Sequence, residues 1–359
     1  MSVVATRNAA IALGRIPDRK AAADRFATRS RLAGVTATIV VAMIGTFSAR
    51  AAEPAGLVLE ATVALGPVRG RIDHLTIDAD RQRLYVAELG NDSVGVVDLK
   101  RAVLLSSITG LKEPQGVLYV PTADMVYVAN AGDGSIRVFN GADLNAVNKI
   151  DLGDDADNMR FDRASNLIYV GYGSGALAVI DPMTRKKIAN VTLHAHPESF
   201  QLESGGHDIF INVPDAREIA VVDRVQQKQV ASWKPRELTA NFPMAIESAG
   251  HRVLVVFRHP ATLGVFDLIN GALLSRVAVC GDADDIFVDG KRDRVYVSCG
   301  EGFIDVLARD GDSYVLRDRI ATAPGARTAL FVPEMDRLLL AVRSTSRTAA
   351  AIWVFRPAP

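Results

Sequence analysis

Short apolar runs alternate along the chain with clusters of glycine, asparagine and aspartate, and the runs return at a nearly constant interval. Leu84-Tyr85-Val86 is followed by Val126-Tyr127-Val128 and Ile168-Tyr169-Val170, with 42 residues between successive tyrosines. Looser copies stand at Ile209-Phe210-Ile211, Val253-Leu254-Val255, Val295-Tyr296-Val297 and Leu338-Leu339-Leu340. The seven anchors, Tyr85, Tyr127, Tyr169, Phe210, Leu254, Tyr296 and Leu339, lie 41 to 44 residues apart. This period, with short β-type runs inside every unit, predicts an all-β fold, a seven-bladed β-propeller with four strands per blade. A single blade cannot bury its own faces, so the repeats are expected to stack into one ring.

The order within each unit is constant. In the first, His74-Leu75-Thr76-Ile77 leads through a turn to Leu84–Glu88, then through Gly90-Asn91-Asp92 to Val94–Asp98, then to Val103–Ile108. The runs are almost continuously apolar, as expected of sheets covered on both faces. A second periodic column marks the third strand, at Asp98, Asn140, Asp181, Asp223 and Asp267. Such residues cap the following turn through the backbone, so the column is read as structural. The last unit ends at its third strand, Ala350–Phe355. Residues 57–65 are expected to supply the missing fourth strand, closing the ring and removing two open sheet edges.

The unit containing Pro114-Gln115-Gly116, Val126-Tyr127-Val128-Ala129-Asn130 and Gly132-Asp133-Gly134-Ser135-Ile136 resembles the YVTN-repeat β-propellers, which include bacterial YncE-like proteins. The resemblance runs over residues 57–359 and is strongest in blades 1–3 and 6. It implies a seven-bladed propeller, commonly secreted or periplasmic. It leaves activity open, because similar propellers serve as binding modules, surface proteins and, in lactonase-type relatives, hydrolases.

Net charge is zero over the whole chain but unevenly spread. Residues 1–51 hold eight Arg or Lys and two Asp, which leaves 33 basic and 39 acidic residues beyond them, a net charge of −6. An acidic body argues against nucleic acid as a partner. The basic start, the uncharged stretch Leu32–Phe47 and the small-x-small triplet Ala49-Arg50-Ala51 read as an export signal cut after Ala51. That leaves residues 52–359 as a periplasmic or secreted propeller. A retained membrane anchor and a mitochondrial presequence are the alternatives.

Candidate chemistry gathers where each blade begins. Aligned on the anchors, the residues at the channel mouth are Asp73, Gln115, Asp157, Glu198, Phe242, Asp284 and Arg327, followed by His74, Gly116, Asn158, Ser199, Pro243, Asp285 and Thr328. Polar groups converging on a concave mouth are the default binding site, although a solvated channel entrance is polar in most propellers. Glu88, Asn130 and Glu301, at second-strand exits, and Arg258 and Arg343 are expected on the same face. The arginines could clamp a carboxylate or phosphate, or pair with nearby Asp residues.

Asp155-Ala156-Asp157-Asn158 and Asp282-Ala283-Asp284-Asp285 face each other across the mouth. Asp157, Glu198, Asp284 and Asp285 could hold Ca²⁺ or another divalent cation; capping of tight turns is the commoner role of such residues. His194 and His196, near His74 and His259, offer a transition-metal alternative with Glu198. Cys280 and Cys299 fall close together across the blade 6 hairpin, as a disulfide or as two buried thiols. No nucleophile elbow, phosphate loop or Cys-x-x-Cys motif occurs.

The reading is an exported propeller that binds a small molecule, peptide or protein at its channel mouth. The alternative is a metal-assisted hydrolase of a lactone or ester, with His74 as candidate base. Redox or quinone chemistry has no positive support.

Overall fold

Seven antiparallel four-stranded sheets follow one another along the chain. The computed structural model describes residues 56–359, so the expected export signal and its expected cut after Ala51 lie outside the described residues. Blades 1 to 6 use consecutive strands, as in blade 1: Leu75–Asp78, Arg83–Glu88, Ser93–Asp98 and Val103–Thr109. Blade 7 takes Ala329–Val332, Arg337–Val342 and Ala350–Pro357 from the C-terminal end, and its outer strand is Leu57–Gly66. Val63 lies opposite Ile352, and Leu57 opposite Pro357. Closure by the N-terminal strand is therefore as the missing strand predicts. Among the described residues no helix is long and apolar enough to cross a membrane.

The anchors explain why the repeat is so regular. All seven sit in the second strand of a blade, and none is more than 4% exposed. Each pairs across the ladder with a valine of the third strand: Val96, Val138, Val179, Val221, Val265, Val306 and Val354. A large side chain opposite a β-branched one fills the space between neighbouring sheets. In blades 1 to 6 the outer strand bulges directly after that valine. A bulge increases local twist, which suits an outer strand on a fan of blades.

The third-strand column is structural, as expected. The Oδ1 atoms of Asp98, Asn140, Asp181, Asp223 and Asp267 accept backbone N–H groups two or three residues on, at 2.8–2.9 Å. In blade 6, Cys299 pairs with Ala283, and Cys280 and Cys299 form a disulfide.

Candidate functional site

Inner strands carry a second set of bulges, and these build the mouth. In blade 2 the ladder skips between Pro114 and Val117, in blade 3 between Ala156 and Met159, in blade 5 between Asn241 and Met244, and in blade 6 between Ala283 and Asp285. The residues released from pairing are Gln115 and Gly116, Asp157 and Asn158, Phe242 and Pro243, and Asp284. A bulge re-aims side chains that a regular strand would send to alternate faces. One backbone irregularity, repeated in four blades, thus places Gln115, Asp157, Phe242 and Asp284 of the aligned column.

A cavity of about 300 Å³ results, and every blade contributes to its wall. Asp73, Gln115, Asp157, Glu198, Phe242, Asp284 and Arg327, the complete aligned column, line it. His74, Asn158 and Arg258 are also present, joined by Arg71, Asp155, His196 and Ser199. Gly116 is required by close approach, because a Cβ there would strike the Asp157 carbonyl oxygen.

Two chains of ion pairs and hydrogen bonds tie the mouth together. On one side Arg71 pairs with Asp73 and donates to Gln115 Oε1 at 2.9 Å. Gln115 donates in turn to Asp155 Oδ1 at 3.3 Å. On the other side Arg258, stacked 3.7 Å from the Phe242 ring centre, donates to Asp284 Oδ1 at 2.6 Å. Arg327 lies 3.2 Å from Asp284 Oδ2 and donates to Asp282 at 2.6 Å. These chains link blades 1 to 3 and blades 5 to 7; neither continues from blade 3 to blade 4, where His196 reaches across the gap, its Nδ1 2.6 Å from the Gly173 carbonyl oxygen.

That gap holds the group of most interest. Asp157 is 6% exposed, and its buried Oδ1 has no hydrogen-bond partner. His74 Nε2 lies 3.8 Å from Oδ1, and His196 Nε2 lies 3.8 Å from Oδ2. Both distances are too long for a hydrogen bond. The Glu198 side chain also has no hydrogen bond or ion pair among the described residues. Burial first, then the neighbouring Asp157 charge, push its carboxyl up to about 7.

The two imidazoles are held differently. His196 Nδ1 donates to the Gly173 carbonyl at 2.6 Å. Burial opposes its charge, but Asp157, that carbonyl and Asp155 outweigh burial and raise it to about 9. Arg160, beneath the mouth, donates to Asn158 Oδ1 and so orients the amide. Asn158 Nδ2 then donates to His74 Nε2 at 3.0 Å, a contact that needs the ring's lone pair. Burial disfavours the charged form of His74, while Asp73, Asp157 and Asp285 outweigh it and raise its pKa. The amide contact therefore belongs to neutral His74, and protonation releases it.

Several sequence-predicted residues lie elsewhere. Asp285 turns below the mouth, where Oδ2 accepts the Ala329 backbone N–H at 2.8 Å; burial pushes its carboxyl up to about 7. Glu88 is fully buried against Ser93, and Asn130 binds backbone groups around Lys112, Val128 and Ser135. Glu301 accepts the Gly281 N–H at 2.8 Å, outside the cavity. His194 turns away to Glu218, at 2.7 Å, and His259 is exposed. The side chains of His194 and His196 therefore do not meet, because the chain between them is not a regular strand. With Asp284 engaged by arginines and Asp285 by backbone, the four carboxylates do not converge. Among the described residues no three His, Cys, Asp or Glu side chains group as metal ligands.

The cavity residues missing from the aligned columns carry a simple signal. Arg71, Asp155 and His196 each stand two positions before a column residue, on the same side of an extended chain. Asp282 and Gly325, at the same offset, line a smaller neighbouring cleft together with Arg343.

No protein-family model matches the chain, and no curated protein matches it. Solved structures do. A chain of Kuenenia stuttgartiensis hydrazine synthase superposes with a TM-score of 0.71 at 17% identity, covering 82% of this chain and 96% of its own. A chain of a mitotic checkpoint complex superposes with a TM-score of 0.72 at 11% identity, covering 89% and 98%. At these identities the likeness concerns the propeller fold alone.

Proposed function

We propose that this protein is a binding module whose channel mouth takes a small cationic ligand, a protonated amine. The observation that carries the reading is Asp157, a residue of the cavity wall whose buried Oδ1 has no hydrogen-bond partner. Leaving such an acceptor unsatisfied costs about 1–3 kcal/mol, and an ammonium donor removes that cost. Glu198 beside it supplies a second acceptor once ionised, and the Phe242 face offers a cation–π surface that Arg258 already uses. Fold supports a binding role only in the general sense that propellers are commonly binding or scaffold modules.

The propeller is further proposed to act outside the cytoplasm, as a YVTN-type exported protein. Supports are the basic-apolar-small pattern ending at Ala51, the tyrosine repeat and the Cys280–Cys299 disulfide, which suits an oxidising compartment.

Hydrolysis of a lactone or ester is a second reading. It rests on His74, which lines the mouth and whose Nε2 lone pair can act as a base only when its Asn158 contact opens. The metal-assisted form loses support because Asp284 and Asp285 are already engaged.

Calorimetric titration with simple alkylamines tests the first reading. Binding is expected at neutral pH, weakened about tenfold or more by Asp157→Asn with the melting temperature retained. Absence of binding by any amine, with turnover of a lactone or ester that His74→Ala abolishes, would establish the second reading instead.

A further inference from the structure

The main cavity adjoins a cleft in which cations outnumber acids. This second recess, about 130 Å³, lies between blades 6, 7 and 1 and shares Arg71 and Arg327 with the main cavity. Its charged lining is Arg71, Arg327, Arg343 and Asp282, three guanidiniums against one carboxylate. In the main cavity Asp73, Asp155, Asp157, Glu198 and Asp284 face Arg71, Arg258, Arg327 and His196, whose pKa is raised to about 9, so each cation there has an acid to oppose it.

Donors in the cleft are not all in use. Arg71 commits Nε and Nη2 to Asp73 and Gln115, leaving Nη1. Arg327 commits Nε and Nη1 to Asp284 and Asp282, leaving Nη2. Arg343 makes no hydrogen bond or ion pair among the described residues. It is exposed, and its guanidinium lies against Gly325. A Cβ at Gly325 would overlap Arg343 Nε and Cζ, and φ there is +81°. Gly325 N–H donates to the Gly300 carbonyl at 2.7 Å, which fixes the loop under the arginine. A guanidinium with its donors free can bind a carboxylate bidentately.

We infer that the ligand is an amino carboxylate, with its amine on Asp157 and Glu198 and its carboxylate on Arg71, Arg327 and Arg343. This rests on the amine-binding reading and deepens it. The shared wall of Arg71 and Arg327 makes one molecule spanning both recesses the economical occupant. Separation of the two charges on the ligand must match the distance between the recesses, so chain length is selected.

The test is calorimetry with linear ω-amino carboxylates of increasing length, each beside the alkylamine of the same length. At one length the amino carboxylate is expected to bind about tenfold or more tightly than its alkylamine. Arg343→Gln should bring it down to the alkylamine's affinity; melting temperature confirms that the variant folds. Equal binding of both compounds at every length overturns the inference while leaving the amine reading intact. A preference that survives Arg343→Gln overturns the seat assigned to the carboxylate. Failure of both compounds to bind overturns the amine reading and this inference together.

Discussion

His74 Nε2 stands 3.8 Å from Asp157 Oδ1, and no protein hydrogen bond crosses the gap. In neutral His74 the same Nε2 accepts from Asn158. Asp157, in the cavity wall, is therefore left with an unsatisfied lone pair on its buried Oδ1. This is the feature that separates the mouth from an ordinary polar rim, where each acid would find its own arginine, as Asp73 and Asp284 do.

Amine affinity should depend on pH through Glu198. Its carboxyl titrates near 7, and only the ionised form attracts an ammonium. Affinity is expected to rise as pH climbs through about 7. Titrations at several pH values check this, and Glu198→Gln should remove the step. A step of unchanged size in that variant would assign it to another group.

Stability should carry a related signature at Asp285. Its folded pKa, about 7, is raised above the ordinary value of 3.8 by burial. A raised carboxyl stabilises the fold fully below the unfolded value and loses that contribution as pH rises through the folded one. Melting temperature is thus expected to fall between about pH 4 and pH 7. Asp285→Asn should flatten that part of the profile, because the amide oxygen can still accept the Ala329 N–H without a charge.

Closure by residues 57–66 predicts a global effect from a local change. Leu65 is 1% exposed on the strand that completes blade 7. Leu65→Ala should cost about 2–5 kcal/mol, read as a lower denaturation midpoint. One cooperative transition is expected to shift as a whole. Separate unfolding of blade 7 would argue that the ring is not one cooperative unit.

Gly116→Ala should damage the site from the neighbouring blade. The added methyl meets the Asp157 carbonyl oxygen, so the blade 3 bulge must move. Amine affinity is expected to fall about tenfold, since charge-assisted hydrogen bonds depend on close geometry. Unchanged affinity, measured by calorimetry, would mean that the bulge relaxes freely.

The ring was legible because its cause is local and repeated. Tyr85 and its six counterparts each need a buried slot in a second strand, and that requirement recurs at every period. The mouth column was legible for the same reason: Asp73, Asp157 and Asp284 occupy equivalent positions where blades 1, 3 and 6 begin. Glu88 and Asn130 show where this logic stops. Both stand at strand exits on the predicted face, yet the ladder pulls them under the turn toward Ser93 and Ser135.

Sequence by itself determined the blade count, the closing strand and the face that gathers polar groups, since these follow from period, strand order and burial. Tertiary structure decided which of those groups remain available. Asp157, Asp284 and Asp285 are one residue type in related turns, but Asp284 meets two arginines, Asp285 meets a backbone N–H, and Asp157 Oδ1 has no hydrogen-bond partner. Those partners come from other blades, on segments as far as 44 residues away in the chain. Pairing across the ring depends on how the blades pack, and a periodic pattern carries no record of which side chain reaches which.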